Sequence, residues 1–333
     1  MKILITGGAG FMGSNFIRYI LSKYPSYQVI NLDKLTYAGN LENLRDLEGN
    51  PNYKFVQGDI CDLGLVTRLV KDVDVVINYA AETHVDRSIL DPTSFAKTDV
   101  LGTLNILLAA RDNGNKKVIQ ISTDEVYGVA KDRGFKETDP FEPNSPYSAS
   151  KAGGDLMCRA FFVTYSLPVI VTHSCNFYGP YQFPEKMISL FITNLLEDKK
   201  VPVYGDGQHV REWIFTQDHC SAIDLILHKG KMGETYNIGS SHEKTNLEVT
   251  RLILKLVGKN DSYISYVQDR PGHDRRYSVD FAKLRAELGW EPKCNFEESL
   301  KETVEWYKNN ESWWKPLKEK NKDYFEKQYH KER

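Results

Sequence analysis

The sequence predicts an α/β protein: a doubly wound, Rossmann-type parallel sheet followed by a smaller C-terminal α/β domain. Three observations carry this. Short apolar segments alternate with amphipathic ones through the first half, as parallel strands alternate with crossover helices. The first apolar segment runs directly into Gly7-Gly8-Ala9-Gly10-Phe11-Met12-Gly13. After about Asn176 the alternation loosens, and Gly, Pro and aromatic residues punctuate the chain, as in Tyr178-Gly179-Pro180-Tyr181 and Tyr204-Gly205-Asp206-Gly207.

Strands are expected at 3–6, 28–33, 54–57, 73–78, 117–122 and 168–173. The runs Val75-Val76-Ile77 and Val118-Ile119-Gln120-Ile121 are rich in β-branched residues, as strands covered on both faces are. Helices are expected at 14–22, 63–70, 95–113 and 147–165. In the second half, 187–196, 246–257, 281–288 and 296–308 read as helices, and 209–229 is a candidate to return to the first domain. The tail from Glu311, rich in Lys, Glu, Trp and Tyr, reads as a solvated helix held by its aromatic residues. The apolar faces of 95–113 and 147–165 suit either monomer core or a dimer interface.

The whole chain bounds the function. Its 333 residues suffice for one large or two modest domains. A net charge of −2 argues against a nucleic-acid or polyanion binder, so an anionic ligand needs a local cluster of Lys and Arg. The cysteines Cys61, Cys158, Cys175, Cys220 and Cys294 are scattered, without a Cys-x-x-Cys pair. Reduced thiols in a cytoplasmic protein, with no metal site, are expected. The chain opens directly into a strand and has no bilayer-length apolar run, so neither a signal peptide nor a membrane span is expected.

The glycine loop lies where a dinucleotide pyrophosphate meets a helix N-terminus. Gly7 permits the turn, Gly10 the approach of the phosphates and Gly13 close helix packing. Asp33, ending the second strand, is positioned to grip the adenosine ribose and favours NAD over NADP; the neighbouring Lys34 weakens that preference slightly. Asp59 and Ile60 end the third strand and could hold the adenine, with a helix cap as the alternative for Asp59. Ala80 and Ala81 follow the fourth strand with small side chains that suit close passage of a cofactor.

Tyr147 and Lys151 are one helical turn apart and share a face. A lysine ammonium beside a phenol should lower the phenol pKa, so that Tyr147 takes a hydroxyl proton as hydride leaves the same carbon. Thr123 ends the fifth strand, where it can hydrogen-bond the same substrate oxygen. Asp124 and Glu125 follow directly and add what plain hydride transfer does not need, an acid and a base aimed at a neighbouring carbon. The bland alternatives are a loop cap for Asp124 and a surface ion pair for Glu125.

These stretches, with Leu32–Asn40, Ala80–Ser88, Tyr178–Lys186, Val210–Trp213 and Asp269–Tyr277, resemble the NAD-dependent epimerase/dehydratase family of the extended short-chain dehydrogenase/reductase superfamily, nearest its dTDP-D-glucose 4,6-dehydratases. The resemblance covers nearly the whole chain. It implies an NAD-binding domain at 1–175, a nucleotide-sugar domain at 176–333, and a cytoplasmic homodimer of nucleotide-sugar metabolism, as in dTDP-rhamnose biosynthesis. It also implies a lyase that oxidises C4 of the sugar, eliminates water across C5 and C6, and returns hydride to C6. Tyr147 would be the first base, Glu125 would remove the C5 proton and Asp124 would protonate the C6 hydroxyl. Phe11, Met12, Leu35, Thr36, Glu82 and Thr98 would complete the cofactor contacts. Thr83 and His84 would lie near the sugar, Asn176, Lys186 and Arg211 near the diphosphate, and Met187, Pro202, Tyr204 and Asn246 along the nucleotide. Arg270, His273 and Tyr277 would close over it.

Within the same residues, His84 could instead be a satisfied structural histidine, Lys186 and Arg211 solvated surface charges, and Asn246 an ordinary helix cap. The runner-up activities are a nucleotide-sugar 4-epimerase or decarboxylase, or a 4,6-dehydratase acting on a UDP-, CDP- or GDP-sugar. Epimerases usually carry small residues where this chain has Asp124 and Glu125. The chain departs from the family pattern at Phe177, where an asparagine is usual, and at His173, where an arginine is.

Overall fold

The computed structural model describes residues 1–323. The first half runs β1 (Lys2–Thr6), α1 (Phe11–Lys23), β2 (Gln28–Asp33), β3 (Tyr53–Gln57), α2 (Leu63–Lys71) and β4 (Val75–Asn78). Then come α3 (Val85–Leu90), α4 (Pro92–Phe95), a π-helical turn (Ala96–Gly102), α5 (Thr103–Asp112), β5 (Lys117–Thr123), α6 (Pro146–Tyr165) and β6 (Val169–Ser174). The second half contributes β7 (Asn176–Tyr178), α7 (Met187–Leu196), β8 (Val201–Tyr204), β9 (Val210–Phe215), α8 (Thr216–Lys229) and β10 (Thr235–Ile238). It ends with β11 (Glu243–Thr245), α9 (Asn246–Val257), β12 (Ile264–Val267), α10 (Ala282–Leu288), α11 (Phe296–Asn309) and α12 (Glu311–Lys320).

The main sheet has seven strands in the order β10-β6-β5-β4-β1-β2-β3. All of its pairings are parallel. Strand side chains alternate between two cores, as period-two geometry requires. Ile3, Ile5, Ile77 and Ile119 pack with Phe16 and Ile20 of α1 and Ile223 of α8. Leu4, Val76 and Val118 pack with Val70 of α2, Leu107 of α5 and Phe161 of α6. The order reverses between β1 and β4, which opens a crevice at the carboxyl edge where open α/β sheets bind ligands.

The second body is built on the three-stranded sheet β11-β9-β7 and the pair β12-β8. Its core joins Ile192, Trp213, Phe215, Ile253, Leu300 and Trp314. β9 bridges the two bodies: Trp213 and Phe215 enter this core while Ile214 enters the first. The segment read as returning at 209–229 therefore divides, with β9 in the small sheet and α8 packed on α1. The return extends further, because β10 is the edge strand of the main sheet and α10 packs on it.

Two other expectations are corrected. The helix read over 95–113 is α4, a π turn and α5 in succession. The helix read from Ser14 begins at Phe11, because Gly10 serves as its N-cap. The tail helix is present as α12, with Trp314 fully buried; residues 324–333 of the tail lie outside the described residues.

Candidate active site

A large cavity follows the crevice and continues beneath the second body. One end is formed by the loop from β1 into α1. A Cβ on Gly7, at φ +67°, would sit 2.6 Å from Ala80 N, and one on Gly13 would sit 2.4 Å from Gly7 O. Only glycine therefore brings β1, β4 and α1 this close. The α1 N-cap, Gly10, supplies no side-chain cap, so the first-turn N–H groups face the cavity unscreened.

Asp33 is buried at the rim, its Oδ2 accepting from Ala9 N at 2.9 Å and its Oδ1 from Leu35 N at 2.8 Å. Burial pushes its pKa up, although both backbone bonds oppose this. Further donors, such as a ribose diol, would relieve that desolvation. Lys34 pairs with Asp59, Nζ to Oδ2 at 2.8 Å, and is thereby occupied. The cap of α2 is Asp62, accepting from Leu65 N, which removes the cap alternative for Asp59.

The middle of the cavity is built by β5 and α6. Ser145 and Ser148 form a capping box that starts α6, with Pro146 in its first turn, and this presents Tyr147 and Lys151 on the cavity side. Lys151 Nζ donates to Ile121 O at 2.8 Å. The expected lowering of the Tyr147 pKa is not found. Burial first, and the charges of Glu125 and Asp99 next, push the phenol well above its ordinary value. Lys151 is spent on a carbonyl, and its charge also acts on the buried Asp99.

Thr123 caps the short turn Asp124–Tyr127, accepting from Glu125 N at 3.2 Å and donating to Asp124 Oδ1 at 3.3 Å. Asp124 is 2% exposed and its Oδ2 has no protein partner. Burial, and then the charge of Glu125, push its pKa well above the carboxylate range. Burial also raises Glu125, but Arg270, Lys186 and Arg211 oppose the rise. Burial thus raises both carboxyls, and at Glu125 three cations oppose the rise. Neither bland alternative survives: the turn is capped by Thr123, and Glu125 is inside the cavity.

The far end is cationic. Lys186 Nζ donates to Thr83 Oγ1 at 3.2 Å, and Arg211 is 5% exposed, so neither is a solvated surface charge. Arg211 braces the carbonyls of Val210 and Asp274 and stacks on the Tyr277 ring, 4.3 Å from its centroid. His84, buried and lining the cavity, holds φ +83°, a strained conformation for a non-glycine residue. Thr245, not Asn246, is the N-cap of α9. Asn246 Oδ1, Asn176 Oδ1 and Arg270 Nε are buried without protein partners. These three residues line the cavity, so a polar ligand there would find acceptors and a donor already desolvated.

The cavity gathers nearly all the residues singled out from the sequence: Gly7, Gly10, Phe11, Met12, Gly13, Asp33, Lys34, Thr36, Asp59, Ile60, Ala80, Ala81, Glu82, Thr83, His84, Thr98, Thr123, Asp124, Glu125, Tyr147, Lys151, Asn176, Lys186, Met187, Pro202, Tyr204, Arg211, Asn246, Arg270 and His273. Two fall outside its lining. Leu35 turns at φ +57° and meets Asp33 through its backbone N–H. Tyr277 stands behind the wall, donating to Asp274 Oδ2 at 2.6 Å and meeting Glu125 Oε2 at 3.4 Å. Phe177 lines the cavity against His219, and His173 lies outside it, bonded to Tyr127 and Asp155. Asp86 and Glu185 also line the cavity, both buried, although residue type and spacing alone assign them no role.

Residues 4–303 match the GDP-mannose 4,6 dehydratase family. A dTDP-glucose 4,6-dehydratase of Xanthomonas campestris pv. campestris (strain B100) is 50% identical over 331 residues, covering 93% of this chain and 94% of the relative. One from Streptomyces niveus is 49% identical, with 96% of both chains covered. The crystal structure of a Streptomyces venezuelae dTDP-glucose 4,6-dehydratase, solved with NAD bound, superposes with a TM-score of 0.94 at 50% identity, covering 95% of this chain and 100% of that one. A UDP-glucose 4-epimerase of Thermotoga maritima is more distant, at 32% identity and a TM-score of 0.86. The chain belongs to the dTDP-glucose 4,6-dehydratase family.

Proposed function

We propose that the protein is an NAD-dependent lyase that converts dTDP-D-glucose to dTDP-4-keto-6-deoxy-D-glucose and water. The observation that carries this is the Asp124–Glu125 pair lining the cavity beside Tyr147, Asp124 with a buried Oδ2 free of protein partners and Glu125 in the field of Arg270, Lys186 and Arg211. When bound, NAD would supply hydride acceptance at C4 and hydride return at C6.

The residues fit that cofactor. The glycine loop and the α1 N-terminus would take the pyrophosphate, Asp33 the ribose, and Ala80 and Ala81 leave room beside them. Phe11, Met12, Leu35, Thr36, Asp59, Ile60, Glu82 and Thr98 would complete its surroundings. The Lys34–Asp59 pair favours NAD over NADP, since the cation nearest Asp33 is already neutralised.

On the substrate side, Tyr147 Oη takes the C4 hydroxyl proton while Thr123 holds that oxygen. The C4 ketone acidifies the C5 proton, which Glu125 removes. Asp124 gives a proton from Oδ2 to the C6 hydroxyl, which departs as water, and Glu125 returns its proton to C5. Lys186, Arg211 and Arg270 bring positive charge to the diphosphate. Thr83 and His84 surround the sugar, Asn176 lies beside the diphosphate, and Met187, Pro202, Tyr204, Asn246 and His273 surround the nucleoside. Tyr277 supports Glu125 from behind.

We further assign the nucleotide-sugar half to 176–333 and the cofactor half to 1–175, joined by α8 and β10. A cytoplasmic homodimer fits two features. All five cysteines are free thiols. Leu90, Leu101, Leu156 and Val163 are exposed on α3, the π turn and α6, the apolar faces that suit pairing with a second copy. No helix among the described residues is long and apolar enough to cross a membrane. The test is incubation with dTDP-glucose and, separately, UDP-glucose, followed by mass measurement. Loss of one water from the dTDP-sugar is expected. Recovery of both sugar nucleotides with all their oxygen would overturn the reading.

A further inference from the structure

The C-terminal helix reaches the cofactor half of the molecule. α12 is rooted in the second body, where Trp314 is fully buried in the core and Lys318 Nζ meets Asn194 Oδ1 at 2.8 Å and Glu197 Oε2 at 2.6 Å. Its neighbour Trp313 crosses to the first body, where the indole Nε1 donates to Asn43 Oδ1 at 2.9 Å. The indole is held edge-on by Tyr181 and Trp306, with ring centroids 5.8 and 5.1 Å away.

Asn43, 1% exposed, passes the contact on. Its Nδ2 donates to Ala9 O at 2.9 Å, inside the glycine loop. The same carbonyl accepts from Asn40 N at 3.0 Å, and Ala9 N donates to Asp33 Oδ2 at 2.9 Å. An indole N–H only donates and a carbonyl only accepts, so the Asn43 amide fits one way round. The Asn43 main chain is held separately, by Arg18 Nη2 donating to its carbonyl at 2.6 Å. What Trp313 adds is the orientation of the side-chain amide. The Ala9–Gly10 peptide leads into the N-terminus of α1, so its orientation sets where the first-turn N–H groups point.

We propose that α12 is a cofactor latch: Trp313 orients the Asn43 amide, Asn43 fixes the Ala9 carbonyl, and the glycine loop keeps the shape that holds NAD from one turnover to the next. The hydrogen bonds run without a gap from a helix rooted in the second body to Asp33 at the ribose rim. Trp313 lies outside the cavity lining and acts through Asn43, so it is a positioning residue. Without its N–H, Asn43 Oδ1 is buried with no donor, and the amide gains by turning Nδ2 away from Ala9.

The inference rests on NAD occupying the glycine loop, and its test separates the two. Wild type, Trp313→Phe, Asn43→Ala and the double variant are loaded with radiolabelled NAD, and release into excess unlabelled NAD is followed by rapid filtration. Affinity for dTDP is measured on the same proteins by calorimetry. Trp313→Phe keeps an aromatic ring and loses the N–H; it should release NAD about 10-fold faster, the scale of one lost hydrogen bond, with dTDP affinity within about twofold of wild type. Asn43→Ala cuts the same chain one link later, so it tests the latch even if Trp313→Phe does not fold, and it should also release NAD faster. In that background Trp313→Phe should add nothing, because the two residues act in series. Release at the wild-type rate from either single variant overturns the latch. So do additive effects in the double variant, or a matching loss of dTDP affinity, which marks general loosening. A wild type that binds no NAD fails the cofactor reading instead.

Discussion

Arg270 reaches across the cleft to Asp86, Nη1 to Oδ1 at 3.1 Å, and Tyr204 donates to the other oxygen of the same carboxylate at 3.1 Å. Asp86 belongs to α3 of the first body; its two partners come from the second. Its pKa is lowered despite burial, by the charges of His84 and Arg270. Arg270 keeps Nε buried without a partner, so one edge of the guanidinium is anchored while the other faces the cavity.

Asp86→Asn should therefore loosen a diphosphate contact without touching the chemistry. A charge-assisted hydrogen bond contributes roughly 1.5–3 kcal/mol, so KM for dTDP-glucose should rise about 10-fold or more. The kcat should stay within about twofold. Steady-state kinetics check this, and a fall in kcat with KM unchanged would place Asp86 in the chemistry.

Much of this site was legible because its chemistry sits at strand ends. Gly7, Asp33, Thr123 and Asn176 each lie at the carboxyl end of a strand or just past it, and hydrophobic patterning finds strands. Asp86 was not legible, because its partners Tyr204 and Arg270 are more than a hundred residues away and only the fold joins them. The π turn at Ala96–Gly102 was missed because one extra residue in a turn leaves an apolar stripe nearly unchanged. The Tyr147 expectation failed for a different reason. Spacing predicts that Lys151 is near, but not that burial and two carboxyls outweigh it.

Glu125→Gln removes the base at C5. Turnover should fall by about 10²–10⁴-fold, the usual range for a lost general acid or base. Oxidation at C4 does not use Glu125, so NADH absorbance should rise on mixing with dTDP-glucose and persist. A stopped-flow trace checks both; unchanged turnover removes Glu125 from the mechanism.

Tyr147→Phe removes the only phenol placed on the cavity side of α6. No NADH absorbance should appear with dTDP-glucose, because the C4 hydroxyl keeps its proton. NAD should remain bound, since the glycine loop and Asp33 are untouched, and fluorescence titration measures this directly. Rapid NADH formation in the variant would transfer the base role elsewhere.

Asp33→Ala removes the acceptor expected at the ribose, along with the bonds from Ala9 N and Leu35 N. NAD affinity should fall by about 10–100-fold, the scale of one or two hydrogen bonds to a charged group. NADP should not gain, because Lys34 stays paired with Asp59. Calorimetric titration with both cofactors tests this, and a switch to NADP would mean that Lys34 leaves Asp59.

Asp99 lies in the π turn, 2% exposed, with Oδ2 accepting from Ser150 Oγ at 2.6 Å and Oδ1 from Glu82 N at 3.0 Å. Burial raises its pKa to about 7, against the pull of Lys151 and both hydrogen bonds. In the unfolded chain the same carboxyl titrates in the ordinary range, near 3.8. Between those values the folded protein holds a proton that the unfolded chain has lost, so stability falls as pH rises across that window. Above pH 7 the penalty is complete, on the order of 4 kcal/mol at most for a gap of about three units. Asp99→Asn removes the titration while keeping an oxygen acceptor in place. The variant should gain stability relative to wild type at pH 8 and lose that advantage by pH 5, as read from urea unfolding at the two values. A difference that does not change with pH would mean that Asp99 stays ionised throughout, its charge neutralised by Lys151 across the turn that carries Tyr147.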